Sequence, residues 1–364
     1  EKMNCEFYGI GTADLYSGYV LAFNFNYDPT IDPQETEANA TLNGDHELLK
    51  HHRKYARVWL KSDFEDAKRN ASKKPRLAAG SLEESIEQKS LIDNLHDEDK
   101  SSEFFDSTKQ VPIKGMEVHN EYTMAAHFFL LKKLLSGVQK TRFYLDQDAG
   151  MKTWYIAAFK EEIEAGDSDG FLVTMQKDLT VDMKRQEVRD AKREIGKFAG
   201  VPYESMTAPE VTYHVRNMVK HNMLNPFVTK RTGERWIGIP RPSMSEPSKM
   251  IHSFTPIGRY DEDHQANLFL KGGLHAVDRF FMQIRRKVSS FERPFQSGTS
   301  RHRIWNGYSP YNPAMYQQLA DIFRVFYNYC QQYEKTSETP AMKLGLAKGP
   351  VELEKIIYFK KYDN

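Results

Sequence analysis

The chain reads as an α/β protein, a mixed sheet flanked by helices, and three observations predict it. Two runs rich in β-formers joined by a tight turn occupy residues 6–27. Helix-period and strand-period segments then alternate between Val118 and Gln176. With 364 residues, 40% hydrophobic and 28% charged, the chain has enough apolar material for a large core and for two or three domains.

Each element has its own local reason. Phe7 to Ala13 is expected as a strand, Asp14-Leu-Tyr-Ser-Gly18 as the turn, and Tyr19 to Phe25 as the returning strand. The Asp28-Pro29 and Asp32-Pro33 pairs then interrupt regular structure. His46 to Lys61 is expected as a helix carrying Leu48, Leu49, Tyr55, Val58 and Leu60. Residues 61–112 hold nine Lys/Arg and twelve Asp/Glu with few large apolar residues. That composition predicts helical fragments in a mobile, solvated insertion, away from the chemistry.

Order is expected to return at Val118. From Glu121 to Leu135, Tyr122, Ala125, Ala126, Phe129, Leu130 and Leu134 fall on one helical stripe, closed by Gly137. A strand from Thr141 to Leu145 ends at Asp146. A helix over Met151–Glu164 turns Trp154, Tyr155, Ala158, Phe159 and Ile163 inward, and Phe171 to Gln176 is the next strand.

Residues 178–272 read as a subdomain inserted in this core. It has helices near Met183–Phe198 and Pro209–Met223, a strand Arg235–Ile239 and a Pro-rich loop through Pro247. A long helix is expected from Ala266 or Leu274 to Phe291. Pro313 suits the first turn of a helix to Glu334 that buries Leu319, Ile322, Phe323, Phe326 and Tyr327. The expected division is 1–60 and 118–178 for the core, 61–117 for the charged insertion and 179–272 for the inserted subdomain. A basic helix region follows over 273–304, with a helical C-terminal extension over 305–364.

Several classes are excluded or disfavoured. No run of about 18 apolar residues exists to span a membrane. The start lacks signal-peptide character and an initiator Met, and it opens almost directly on a core strand; a C-terminal piece of a longer chain is expected. Cys5 and Cys330 make neither a disulfide framework nor a four-Cys zinc site, which suits a reducing cytosol. The Asn39-Ala-Thr and Asn70-Ala-Ser sequons are of a kind common by chance.

Three acids stand out: Asp14 at a strand end, Asp146 at a second strand end, and Asp278 in a basic helix. Phosphodiester displacement uses two divalent ions roughly 4 Å apart, and hard ions such as Mg²⁺ take oxygen ligands. Asp278 lies seven residues before Arg285, about two turns along one helix face. From Arg279 to Arg303 the chain carries Arg279, Arg285, Arg286, Lys287, Arg293, Arg301 and Arg303 against one acid, Glu292, although net charge is only +1. Such a field attracts phosphates, and it also describes a solvated helix face.

Alternatives stand beside each choice. Asp at a strand end is a common turn residue. Asp148 competes with Asp146, Asp28 with Asp14, and Glu292 with Asp278. His119, His127 and His275 lack zinc-site spacing and read as core or surface histidines, with His275 three residues before Asp278. Lys177-Asp178 follow a strand and suit a turn or a DNA contact. Trp236, Trp305 and Tyr308 flank basic residues and suit base stacking or burial. No phosphate-binding Gly loop and no Ser/His/Asp or Cys/His arrangement is present.

Ala13-Asp14-Leu-Tyr-Ser-Gly-Tyr-Val resembles the first-strand motif of DDE/D-type insertion-sequence transposases. Tyr144-Leu-Asp146-Gln-Asp-Ala-Gly resembles their second acidic motif, and Leu274-His-Ala-Val-Asp278 followed by Ile284-Arg-Arg-Lys their third. Thr339-Pro-Ala-Met-Lys-Leu-Gly-Leu-Ala347 is similar to a Thr-Pro-Ala segment in many bacterial members. Together the matches span most of residues 6–347. The resemblance implies a ribonuclease-H-like, retroviral-integrase-like core. It also implies two Mg²⁺ or Mn²⁺ ions: Asp14 and Asp146 would bridge them and Asp278 would complete the coordination of the second ion.

Water would then cleave the strand, and the freed 3′-hydroxyl would attack target DNA. The basic residues would hold backbone phosphates without choosing sequence. A homodimer or larger assembly on paired transposon ends, in a bacterial cytoplasm beside the nucleoid, is implied as well. Two departures bear on this. The third acid is Asp where the family usually has Glu, and both spacers are long. The family's N-terminal helix-turn-helix or zinc module has no counterpart in this sequence. Rival expectations are a ribonuclease-H-like nuclease without strand transfer, and a catalytically silent transposase-derived DNA-binding protein.

Overall fold

The computed structural model describes residues 7–71, 81–93, 112–176, 179–241, 243–292, 295–296, 303–304 and 312–358. The first elements are the expected hairpin, β1 (Gly9–Ala13) and β2 (Val20–Phe25), antiparallel with a register shift at Thr12/Ala13. A short β3 (Tyr27–Asp28) pairs with β4 (Met116–Glu117). Asp32-Pro33 opens a helix where a break was expected. The Asp32 side chain accepts from Gln34 N and Glu35 N, and Pro33 occupies the first turn of α1 (Pro33–Asn43).

The helix expected over His46–Lys61 is absent. Two short 3₁₀ turns, Asp45–Glu47 and Lys50–His52, replace it. Buried Asp45 explains the difference, because its carboxylate accepts from Lys54 N (3.3 Å) and Tyr55 N (2.9 Å) and folds the chain back.

The charged stretch 61–112 also differs from expectation where it is described. It forms α2 (Lys61–Ala71) and α3 (Leu82–Asp93), and each buries a face: Asp63, Phe64 and Ala67 on one, Leu82, Ile86 and Ser90 on the other. After α4 (Asn120–Leu134) come β5 (Thr141–Asp146), α5 (Ala149–Ala158), α6 (Lys160–Glu164) and β6 (Ser168–Met175), close to their expected positions except that two helices replace the one expected over Met151–Glu164.

Next are α7 (Val181–Ala199), α8 (Ala208–Leu224), β7 (Phe227–Val228), β8 (Arg235–Gly238) and β9 (Lys249–Ser253). The single long helix expected to reach Phe291 is two, α9 (Glu262–Lys271) and α10 (His275–Lys287), separated at Gly272-Gly273. β10 (Phe295–Gln296) pairs with β11 (Arg303–Ile304), and α11 (Ala314–Tyr329), α12 (Pro340–Lys343) and α13 (Leu353–Ile357) end the described chain.

The chain divides into two compact units. The first comprises Glu1–Lys74, Glu103–Leu131 and Ala276–Asn364. Its core is Val20, Phe23, Phe280, Ile284, Ala320, Phe323 and Tyr327, joining the hairpin to α10 and α11. α11 also closes the outer edge of β2. Asn328 accepts from Val20 N (2.9 Å) and donates to Val20 O (3.0 Å), while Gln317 accepts from Phe25 N and donates to Phe23 O. An open strand edge is thereby satisfied by side chains, without another strand.

The second unit comprises Pro75–Ser102 and Lys132–His275. It holds a five-stranded sheet in the order β5-β6-β9-β8-β7, with β5 and β6 parallel and the other pairs antiparallel. The expected α/β class with a mixed, helix-flanked sheet is therefore present. The residues expected as a separate subdomain over 179–272 supply three of the five strands, in one sheet with β5 and β6. β9 escaped the sequence reading because Lys249 begins it, and that ammonium is buried against Glu246 (2.8 Å) and the Gly272 carbonyl (2.6 Å).

Candidate functional site

In the first unit Asp14 ends β1 inside a compact turn. Its N–H donates to Tyr19 O and its carbonyl accepts from Gly18 N, both at 2.8 Å. One carboxylate oxygen, Oδ2, accepts from both Ser17 N and Ser17 Oγ at 2.6 Å. Gly18 has φ of 75°, a left-handed conformation that favours glycine, and its α-carbon faces the Tyr333 hydroxyl.

Tyr333 braces this turn, a role that nothing in the sequence reading suggested. Its hydroxyl donates to Ser17 O (3.3 Å), the Arg279 guanidinium lies 5.2 Å from its ring centroid, and Lys343 Nζ lies 4.2 Å from it. The Thr339-Pro-Ala segment supports it in turn. Thr339 is fully buried and caps α12 by accepting from Met342 N, and Tyr333 N donates to Glu338 O, one residue earlier.

α10 packs its apolar face on the hairpin. Phe280 and Phe281 each lie 5.4 Å, centroid to centroid, from Phe23, and Val277 approaches the Gly11 backbone. Asp278 and Arg285 sit together on the flank of that face, since seven residues is close to two turns. Asp278 is exposed and its neighbour Arg279 meets Tyr333. So the elements carrying Asp14 and Asp278 pack against one another within one unit.

Among the expected phosphate contacts, Arg285 is half-buried, while Arg279, Arg286 and Lys287 are exposed. Lys287 Nζ donates to Gln331 Oε1 (2.8 Å). Arg303 lies in β11, paired with Gln296. Arg293 and Arg301 lie outside the described residues, as do Lys177, Asp178, Trp305 and Tyr308.

In the second unit Asp146 is the last residue of β5, in parallel register with Val173, and its Oδ1 accepts from Gln147 N (3.0 Å). Asp148 has a different task. It caps α5 by accepting from Met151 N (3.0 Å), and burial raises its pKa, with the nearby Asp146 charge adding to the rise against the Met151 N–H. The strand-end position at the carboxyl edge of the parallel pair therefore belongs to Asp146. α3, drawn from the stretch expected to stand apart from the chemistry, lies beside this loop. Gln147 Nε2 donates to the Ile86 carbonyl (3.3 Å).

A further carboxylate, Glu246, holds the start of α10 and escaped the sequence reading. Its Oε1 accepts from Leu274 N (2.7 Å) and His275 N (2.9 Å), and Oε2 meets the Lys249 ammonium. Burial would raise Glu246, but the His275 and Lys249 side chains and the Leu274 N–H prevail and hold it at about 2. The Gly272-Gly273 pair was the only sequence signal. A β-carbon on Gly273 would stand 2.7 Å from Glu246 Oε1.

The alternatives resolve by their contacts. Asp28 is committed to Arg57 (2.8 Å) and Thr30, and Glu292 is exposed after a 3₁₀ turn. His127 is buried between Thr12 Oγ1 and Asn24 Oδ1, both at 2.8 Å, and burial lowers its pKa to about 4. His119 is buried, stacked on Trp59 and 3.6 Å from Asp63. His275 is half-buried beside Glu246 at 3.7 Å. Trp236 is fully buried with its Nε1 donating to Glu234, so of the two expectations for it, base stacking and burial, burial holds.

A hard divalent cation would suit the carboxylate donors at Asp14, Asp146 and Asp278. Asp14 and Asp278 fall in the first unit and Asp146 in the second. Among the described residues no group of three or more His, Cys, Asp or Glu side chains is gathered to hold a metal ion. No helix among the described residues is long and apolar enough to cross a membrane. Comparison of the chain with protein-family models, curated proteins and solved structures gave no match.

Proposed function

We propose that this chain is the catalytic region of a DNA transposase of the DDE/D type, on a ribonuclease-H-like core. It would cut DNA strands at transposon ends and join them to a target. The observation that carries the reading is the arrangement around Asp14: a strand-end acid in a braced turn, on a hairpin packed against the helix that bears Asp278. That helix carries Arg285, Arg286 and Lys287 in its last turn. Asp146, at the carboxyl edge of a parallel strand pair, is the third acid of the proposal.

In this reading the carboxylates orient the attacking oxygen, first of water and then of the freed 3′-hydroxyl. Arg285, Arg286 and Lys287 hold backbone phosphates in register. Ser17 fixes one Asp14 oxygen through two hydrogen bonds, which leaves the other oxygen to face substrate. Mg²⁺ or Mn²⁺, two ions per site, is the cofactor such a donor set would take, and would supply charge neutralisation at the phosphate. Work on paired DNA ends as a homodimer or larger assembly, within a bacterial cytoplasm, belongs to the same proposal.

Asp146→Asn tests it. Strand cleavage and joining of a DNA substrate in Mg²⁺ should fall at least roughly 10³-fold with duplex affinity retained, the scale of losing a group needed in the transition state. Cleavage that persists in the variant, or is unchanged in chelator, overturns the assignment. Products cut but never joined move the reading to a nuclease. Metal-independent DNA binding without any nicking moves it to a scaffold.

A further inference from the structure

We infer that a basic groove along α7 in the second unit holds the phosphate backbone of duplex DNA. The inference rests on the reading of this chain as an enzyme that acts on DNA, yet uses none of the residues assigned to the chemistry. α7 carries charges of both signs, and four of its cations line one groove. Arg189, Lys192, Arg193 and Lys197 recur at three-four spacing with Gly196 and make one stripe. Two of the helix's four acids are engaged away from the stripe, Asp182 with Arg185 (3.3 Å) and Glu187 accepting from Ser248 Oγ, and exposed Glu194 does not line the groove. Asp190 takes Gln186 and Arg193.

The stripe forms one side of a groove of ≈ 760 Å³, closed on the other side by Val201–Glu204, and Glu204 is its only lining carboxylate among the described residues. Gly196 makes the close passage possible. A β-carbon there would stand 3.1 Å from both Tyr203 N and Val201 O, so the loop crosses the helix over bare backbone. Lys192 Nζ lies 5.1 Å from the Tyr203 ring centroid, so its ammonium reaches the facing wall of the groove. Among the described residues only Arg193 of the four cations has a carboxylate within ion-pair distance, Asp190 at 3.2 Å.

Shape and spacing point to a polymer. From Arg189 to Lys197 the helix rises roughly 12 Å, and one DNA strand places a phosphate every ~3.4 Å of axis. Because the strand winds about that axis, its phosphates lie farther apart through space than this rise, and the stripe matches about two or three consecutive phosphates. A small nucleotide would instead want its charges converging on one point in an enclosed pocket.

The test is equilibrium binding of the full chain to a fluorescent duplex of about 30 base pairs and arbitrary sequence, in chelator, across roughly 50–300 mM salt. Arg189→Ala/Lys192→Ala/Arg193→Ala/Lys197→Ala should bind at least about tenfold more weakly near 100 mM. Its slope of log affinity against log salt should be shallower by roughly two to three. Lys192→Glu/Lys197→Glu, with the arginines kept, should show the same direction and gives the reading if the first variant fails to fold by circular dichroism. Unchanged affinity and slope in a folded variant overturn the inference, and so does a loss seen with single-stranded DNA alone. Chelator separates the two readings. A wild-type chain that binds duplex through the groove but never nicks it in Mg²⁺ sinks the transposase proposal only, whereas a nicking chain with an inert groove sinks this one only.

Discussion

At the scale of single residues, burial decides which carboxylates serve structure and which are left for chemistry. Glu246 is held by two backbone N–H groups and an ammonium, while Asp14 spends one oxygen on Ser17. Glycine sets the tolerance around the first of these. Gly273→Ala would drive a methyl into Glu246, whose oxygens cannot give way without breaking bonds to Leu274, His275 or Lys249. We expect it to destabilise the chain by about 1–3 kcal/mol, the usual cost of overpacking a fixed site. Gly137→Ala meets nothing within 4 Å and should be neutral, or stabilising by a few tenths of a kcal/mol through the unfolded chain. Urea denaturation of the pair checks this; equal midpoints would mean that the Glu246 cap is loose.

At the scale of elements, the hairpin owes its outer edge to α11, and Asn328 makes the most concentrated contribution. Its amide serves both the N–H and the carbonyl of fully buried Val20. Asn328→Ala leaves two buried backbone groups without partners, each worth about 1–3 kcal/mol. A loss of about 2–4 kcal/mol is therefore expected in denaturant, with little change in slope. A loss below about 0.5 kcal/mol would show that water replaces the amide and that the edge is open. Asp14 closes the neighbouring strand, so this variant should also depress any strand cleavage at a temperature where the chain remains folded.

At the scale of the whole molecule, local periodicity made much of the architecture legible. The hairpin, β5, β6, α7 and α8 follow from three-four and two-residue repeats, and their bounds fall within a few residues of expectation. α4 has its expected bounds, but the expected stripe of Tyr122, Phe129, Leu130 and Leu134 is exposed, and His127, Phe128 and Leu131 are its buried residues. What escaped was held by buried charge. β9 begins at a lysine neutralised by Glu246, the loop from 45 to 60 is folded by Asp45, and α2 is seated by Asp63, which accepts from Arg53 (2.6 Å) and Leu60 N (2.9 Å). A composition rule treats each of these acids as a solvated residue. The acids at 14, 146 and 278 were legible as strand-end and helix positions, whereas Tyr333, which braces the turn at Asp14, has no local signature. The same buried charges give the chain a pH response.

Glu246 in the second unit and Asp63 in the first both sit at about 2, below ordinary values of 4.5 and 3.8, because hydrogen bonds and neighbouring cations outweigh burial. A depressed carboxylate contributes stability that is complete above its unfolded value and is lost as pH falls through its folded value. Each should therefore support its own unit at pH 7 by about 2–3 kcal/mol, with the loss confined to roughly pH 4.5 down to pH 2. Glu246→Gln and Asp63→Asn should each be less stable than the parent at pH 7, and the gap should close on acidification across that window. A gap as wide at pH 2 as at pH 7 would mean that these carboxylates are not held low, and that the seating of β9 and α2 rests on packing alone.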